Sequence, residues 1–149
     1  MLPWKIIQKL ESDNSRLFKE DVIEAHLEDT DFQGFVYHAN YIKFFERSRS
    51  DFLSSNNISQ EILRKNNLGF VIKRIEIDYL FPAKLGDILV VKSSVEKKSN
   101  ARMIFNQKII LKKDETPICK GLVEVCLINI DTKKPKPLPN DLLLIFDED

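Results

Sequence analysis

A chain of 149 residues with 43% apolar and 31% charged side chains is about one domain, large enough for a real core and too apolar to be disordered. The 23 basic and 23 acidic residues cancel, so no global field draws the chain to nucleic acid or an anionic membrane. No apolar run approaches the roughly 20 residues of a spanning helix, and the opening MLPWKIIQKLESD lacks a secretory apolar core, which points to the cytoplasm.

Residues 1–18 form an N-terminal extension whose structure the pattern leaves open. Trp4, Ile6, Ile7 and Leu10 suit a short amphipathic turn on the body or an arm to a neighbouring subunit, and Asp13-Asn14-Ser15 reads as a loop. From Val22 to Leu27 the alternation is clean, with Ile23, Ala25 and Leu27 on one face and Glu24, His26 and Glu28 on the other. This first strand runs into Asp29-Thr30-Asp31, a turn carrying two acids, with Gly34 free to take a positive φ or allow a close backbone approach.

A helical pattern begins near Ala39. Tyr41, Phe44 or Phe45, Ser48 and Phe52 share one face, flanked by Ile42, while Lys43, Arg47 and Asp51 take the other. An acid just before a helix faces free backbone N–H groups and the positive end of the dipole, a place to polarise a carbonyl or simply to cap the helix. Ser54-Ser55-Asn56-Asn57 breaks the helix, Ser59 predicts the N-cap of a short helix through about Asn66, and Gly69 its stop.

The rest is strand-like. Phe70 to Phe81 sets Ile75, Ile77, Tyr79 and Phe81 opposite Arg74, Glu76 and Asp78, and Pro82 ends it. Leu85-Gly86-Asp87 turns the chain into Ile88–Glu96. Lys97-Lys98-Ser99-Asn100 forms a hairpin turn before Met103–Leu111, and Ile118–Ile130 is the last strand. The segment 133–139 is too proline-rich for a ladder, and Asp141–Phe146 suits a short terminal helix. Cys119 and Cys126, seven positions apart in one strand, stand about 23 Å apart, far beyond the roughly 7 Å a disulfide allows. Two histidines and two remote cysteines make no metal signature.

The expected architecture is α+β: five strands in a mostly antiparallel sheet wrapped around one long central helix, a single domain over 1–149. A 17-residue helix spans about 25 Å, enough to cross such a sheet. One covered face leaves an open edge, which predicts a dimer or a larger assembly.

The stretch DTDFQGFVYHANYIKFFERSR resembles the signature of the hotdog-fold acyl-CoA thioesterases of the hydroxybenzoyl-CoA thioesterase-like group, closest to the Tol-Pal-associated bacterial acyl-CoA thioesterases. IEIDYLFPAKLGD is similar to that family's second strand and turn, and the resemblance covers roughly residues 20 to 138. The chain departs in about a dozen extra residues at the front and in Gln33, where a small residue is common.

The resemblance implies a hotdog fold and hydrolysis of a thioester to free acid and coenzyme A, with no metal or separate cofactor, coenzyme A being part of the substrate. It assigns catalysis to Asp31, as general base or as nucleophile, and carbonyl polarisation to the backbone amide at His38, whose imidazole is a further candidate. Asp29 reads as holding the turn, and Glu46, Arg47 and Arg49 as making intrahelical or intersubunit ion pairs. Gly34, Tyr37, Asn40 and Tyr41 are candidate pocket residues, although Tyr41 also reads as core, and Lys97, Lys98 and Arg102 are candidate phosphate contacts. The implied site lies at the interface of a homodimer or homotetramer, and the implied partner is an acyl-CoA or acyl-carrier-protein thioester. The alternatives are another hotdog enzyme, such as a hydroxyacyl dehydratase, or a non-catalytic acyl-binding subunit.

Overall fold

The computed structural model describes residues 5–10 and 13–146. Strand β1 (Lys5–Leu10) pairs with β2 (Asp13–Glu24), and a single 3-10 turn (Leu27–Asp29) leads toward helix α1 (His38–Ser55). A short helix α2 (Gln60–Lys65) precedes strands β3 (Leu68–Tyr79), β4 (Ile88–Lys97), β5 (Arg102–Leu111) and β6 (Pro117–Asn129), and α3 (Asn140–Phe146) follows. All pairings are antiparallel in one sheet of order β1-β2-β4-β5-β6-β3.

The structure differs from the expectation in four places. It has six strands rather than five, because the N-terminal extension supplies β1 and Asp13 starts β2 instead of sitting in a loop. Trp4 lies outside the described residues. Strand β3 does not form a hairpin with β4: it crosses to the far edge and pairs with β6, from Leu68↔Asn129 to Tyr79↔Cys119. Gly69 lies inside β3, so α2 stops at Asn66 and Asn67, the latter in a left-handed conformation at φ 60°. The first strand also ends sooner than its alternation suggests, which leaves Leu27 75% exposed in the 3-10 turn while Ala25 is buried.

The concave face of the sheet holds α1. Tyr41, Phe44, Phe45, Ser48, Arg49 and Phe52 recur at helical spacing and are all buried. At Gly121 a Cβ would meet Phe45 Cε2 at 2.9 Å and the Glu76 carbonyl at 3.0 Å, so the bare backbone there lets the Phe45 ring reach the sheet. Two apolar clusters result. One surrounds the first turns of α1 (Ala25, Val36, Tyr41, Phe44, Phe45, Leu89), and the other surrounds its last turns (Phe52, Leu63, Phe105, Leu127, Leu142, Phe146). Between them lies a buried polar layer, in which Ser48 Oγ and Ser93 Oγ stand 2.9 Å apart, Gln107 Nε2 donates to Ser93 Oγ and to the Phe45 carbonyl, and Arg49 donates to Gln107 Oε1 at 3.1 Å. Cys119 and Cys126 are buried free thiols on β6. Among the described residues, no helix is long and apolar enough to cross a membrane.

Candidate active site

The site is built by a small hairpin between the 3-10 turn and α1. Thr30 bridges Val36, the Asp31 amide donates to the Phe35 carbonyl at 2.7 Å, and Gly34 at φ 86° closes the turn. The chain then returns alongside itself, with the Tyr37 amide donating to the Asp29 carbonyl, and enters α1 at His38. A second ladder holds the hairpin on the β3–β4 connection through Val36 to Ala83, Phe35 to Lys84 and Leu85 to Gly34.

Two acids two residues apart end in different places. Asp29 is 7% exposed and both its oxygens are engaged: Oδ2 accepts from the His26 amide and Oδ1 from Asn40 Nδ2, each at 2.9 Å. It therefore staples the 3-10 turn to the first turn of α1. Asp31 is half-buried, and its Oδ1 accepts from the Gln33 and Phe35 amides at 2.9 and 3.2 Å, an Asx turn. Its Oδ2 has no hydrogen bond among the described residues. Neither acid caps α1, whose N-cap is Tyr37 with no side-chain cap. The His38 amide consequently enters the helix without a hydrogen-bond acceptor among the described residues.

Aromatic rings surround that entrance. The His38 ring lies 4.4 Å from Tyr37 and 6.3 Å from Tyr79, and Tyr79 lies 5.9 Å from Tyr41. Tyr79 Oη donates to the His38 carbonyl at 3.3 Å and so steadies the first turn. Tyr41 is buried and its hydroxyl accepts the Ala83 amide at 3.1 Å, and burial raises the pKa of its hydroxyl. Burial also pushes the neighbouring Cys119 thiol up to about 12, which keeps it protonated and unreactive.

Thus Asp31, Gly34 and Tyr37 share the hairpin whose chain enters α1 at His38, and Tyr79, an ordinary strand residue by its pattern, meets the His38 ring and carbonyl. Its signal was positional: the last residue of a strand, directly before a proline-containing turn. Asn40 and Tyr41 sit beneath the entrance in structural hydrogen bonds. Lys97, Lys98 and Arg102 do not join them. They stand at the opposite end of β4 from the site, about 30 Å away at the rise of an extended strand. Lys98 and Arg102 both engage Glu124, at 2.8 and 3.0 Å. Among the described residues neither Arg47 nor Arg49 makes an intrahelical ion pair: Arg47 lies over the Phe44 ring at 5.7 Å and Arg49 turns inward.

Two cavities flank α1. A wide cleft of about 770 Å³ between the helix and β2 is lined by acids, with Arg47 and Lys112. A narrower one of about 240 Å³ lies between the helix and β3. Asp31 and His38 line neither, and Phe32, Phe35, Leu80, Phe81 and Leu85, in the hairpin and in the β3–β4 connection laddered to it, are all at least 41% exposed.

The model of the thioesterase-like superfamily matches residues 25–146. The acyl-CoA thioesterase YbgC of Haemophilus influenzae is 34% identical over 83% of this chain and 90% of its own length. The acyl-CoA thioester hydrolase YbgC of Escherichia coli O6:H1 is 31% identical over 89% and 98%. Among solved structures, a probable thioesterase from Bartonella henselae matches at TM-score 0.74 and 33% identity, covering 82% of this chain and 99% of that one. A 1,4-dihydroxy-2-naphthoyl-CoA thioesterase from Synechocystis shares the fold, at TM-score 0.83 and 20% identity, covering 88% and 96%.

Proposed function

The chain belongs to the thioesterase-like superfamily, and from that premise we infer that it hydrolyses acyl-CoA thioesters with Asp31 as the reacting carboxylate. It is a thioester hydrolase of the hotdog fold. The observation that carries the assignment of Asp31 is the division of its two oxygens: Oδ1 is held by its own turn, while Oδ2 has no hydrogen bond among the described residues, in the hairpin that leads into the uncapped start of α1. The turn fixes the direction of Oδ2 without consuming it. A thioester bound with its carbonyl oxygen on the His38 amide gains a donor, reinforced by the helix dipole, where negative charge develops during attack. Oδ2 then either takes a proton from the attacking water or attacks the carbonyl itself. Both routes break the C–S bond, send the electron pair to sulfur and release an acid and the free thiol of coenzyme A. Acyl groups presented on a carrier protein have the same reacting bond.

The site is completed by a second copy of the chain. Strand β3 is a sheet edge and among the described residues pairs only with β6, while Val71, Ile72, Tyr79 and Phe81 along and just past it are 37–54% exposed. An apolar edge of this kind is a template for strand pairing. Continuing the sheet through β3 into its counterpart covers the aromatic ring around His38 and supplies the missing wall, giving a homodimer or a dimer of dimers. Lys97, Lys98 and Arg102 reach a coenzyme phosphate only if they belong to the other protomer.

The test is release of thiol from a panel of acyl-CoAs by the wild type and by Asp31→Asn. An asparagine keeps the side-chain oxygen that accepts from Gln33 and Phe35, so the variant folds and assembles. Its turnover is expected to drop by about 10²–10⁴. Turnover within a few-fold of wild type removes Asp31 from the chemistry.

A further inference from the structure

The open end of α1 carries two amides, not one, that lack an acceptor among the described residues: those of His38 and Ala39. A peptide unit is planar, so holding the oxygen at one end of it fixes the direction of the N–H at the other. The unit bearing the His38 N–H is pinned at the Tyr37 carbonyl, which accepts the Asn40 amide at 2.8 Å. Asn40 is itself held, its side chain donating to Asp29 Oδ1. The unit bearing the Ala39 N–H is pinned at the His38 carbonyl. There the bond from outside the helix, among the described residues, comes from the Tyr79 hydroxyl at 3.3 Å.

Tyr79 is itself fixed. Its backbone pairs with Cys119 at the end of β3, and its ring lies 5.9 Å from Tyr41 and edge-on to His38 at 6.3 Å. Tyr41 is locked in turn by the Ala83 amide. Burial, and then the neighbouring Cys119, raises the pKa of the Tyr79 hydroxyl, which therefore stays a donor at neutral pH. A phenylalanine in its place keeps both ring contacts and loses only the bond to the His38 carbonyl.

We propose that the thioester oxygen is received by both amides, His38 and Ala39, and that Tyr79 is the positioning residue that aims the second. The inference rests on the hydrolase reading, from which it takes the placement of the thioester carbonyl at the start of α1. A donor contributes most to rate when its direction is set before charge develops on the oxygen. Helix ends fray, and a bond from a neighbouring strand removes that freedom. The hydroxyl also polarises the peptide it holds, which makes the Ala39 N–H a stronger donor. Charge on the thioester oxygen grows during attack, so losing this aim lowers kcat and leaves KM nearly alone.

The experiment follows thiol release from acetyl-, decanoyl- and benzoyl-CoA by the full chain as wild type, Tyr79→Phe, Ala39→Pro and the double variant. Thermal unfolding and sedimentation are measured on each. A proline is tolerated in the first turn of a helix, where it removes an N–H that the helix does not use. Tyr79→Phe is expected to lower kcat about tenfold, less than the roughly 10²–10³ lost with a direct donor, with KM and Tm little moved. The double variant is expected to be no slower than Ala39→Pro, because the hydroxyl then has no amide left to aim. A second readout is the infrared stretch of an isotope-labelled thioester carbonyl bound to Asp31→Asn. It is expected below its frequency in water and to move back up when Tyr79→Phe is added, and both Tyr79→Phe readings stand even where Ala39→Pro does not fold. Unchanged kcat in Tyr79→Phe, or losses that multiply in the double variant, overturns the proposal and leaves Asp31 as the reacting carboxylate. Loss of assembly or of Tm in Tyr79→Phe shows that the hydroxyl serves the fold, and also overturns it. Undiminished turnover in Asp31→Asn sinks the hydrolase assignment of that residue, while a carbonyl shift that depends on Tyr79 still supports the paired amides.

Discussion

The two ends of α1 are built for opposite purposes. At its C-terminal end Phe52, Leu53, Ile58, Leu63, Leu142 and Phe146 close over one another, and Asn56 Nδ2 and Ser55 Oγ donate to the Phe52 carbonyl in the last turn. At its N-terminal end no side chain caps the helix, Phe32 is fully exposed, and Tyr37 and Tyr79 are about half exposed. One end spends its residues on burial and backbone satisfaction. The other leaves an amide, a carboxylate oxygen and a ring of aromatics available. Burying apolar area stabilises a fold wherever it occurs, whereas binding and catalysis need groups left unsatisfied, and separating the two lets each be arranged without the other. The polar layer of Ser48, Arg49, Ser93 and Gln107 lies between them.

Substitutions at the two ends sharpen that contrast. The largest effect on rate is that of Asp31→Asn, with thermal stability little changed. Phe52→Ala is its mirror: about 3–5 kcal/mol of stability is lost to the cavity it leaves, read by denaturant unfolding, while activity per folded molecule persists. A Phe52→Ala protein that stays folded but is as inactive as Asp31→Asn breaks the separation. Gly121→Ala probes the join, since its Cβ has no room between Phe45 and the Glu76 carbonyl; overpacking of about 1–3 kcal/mol is expected in the same unfolding assay. Ser59 Oγ accepts the Ile62 amide at the start of α2, at the closed end, so Ser59→Ala costs about 1 kcal/mol and leaves kcat unchanged.

The smallest effect concerns Glu124. Its hydrogen bond to Lys98, then the Lys98 charge and Arg102, hold its carboxyl below the ordinary carboxylate range. Its folded pKa is therefore lower than its unfolded one, so its contribution is present at neutral pH and is lost as pH falls through the carboxylate range. The Tm difference between wild type and Glu124→Gln is expected to shrink as the pH is lowered. A gap that stays constant or widens with acid excludes the pairing as its source.

Much of this was legible in the residues. The period of Tyr41, Phe44, Phe45, Ser48 and Phe52 marked α1 because burying one face is a local property of spacing. Ser59 and Gly86 marked their own boundaries, whereas the segment 133–139, expected to be too proline-rich for a ladder, lies against β6, with Pro135 bridging Ile128 and the Lys136 amide donating to the Leu127 carbonyl. What misled was equally local. Gly69 looked like a helix stop, but Asn66 and Asn67 had already ended α2. The smooth alternation through Leu27 concealed a strand that ends at Glu24.

The sequence by itself determined the long central helix and the acid-bearing turn before it, because each is written in neighbouring residues and their period. Only the tertiary structure decided that β3 crosses to the outer edge, that Asp29 is tied down while Asp31 keeps one oxygen free, that Tyr79 meets His38, and that Arg49 turns inward onto Gln107. These pairings join residues distant in the chain, or separate chemically identical ones close together. Their outcome depends on which partners the whole fold brings within hydrogen-bonding reach, and no local pattern encodes that.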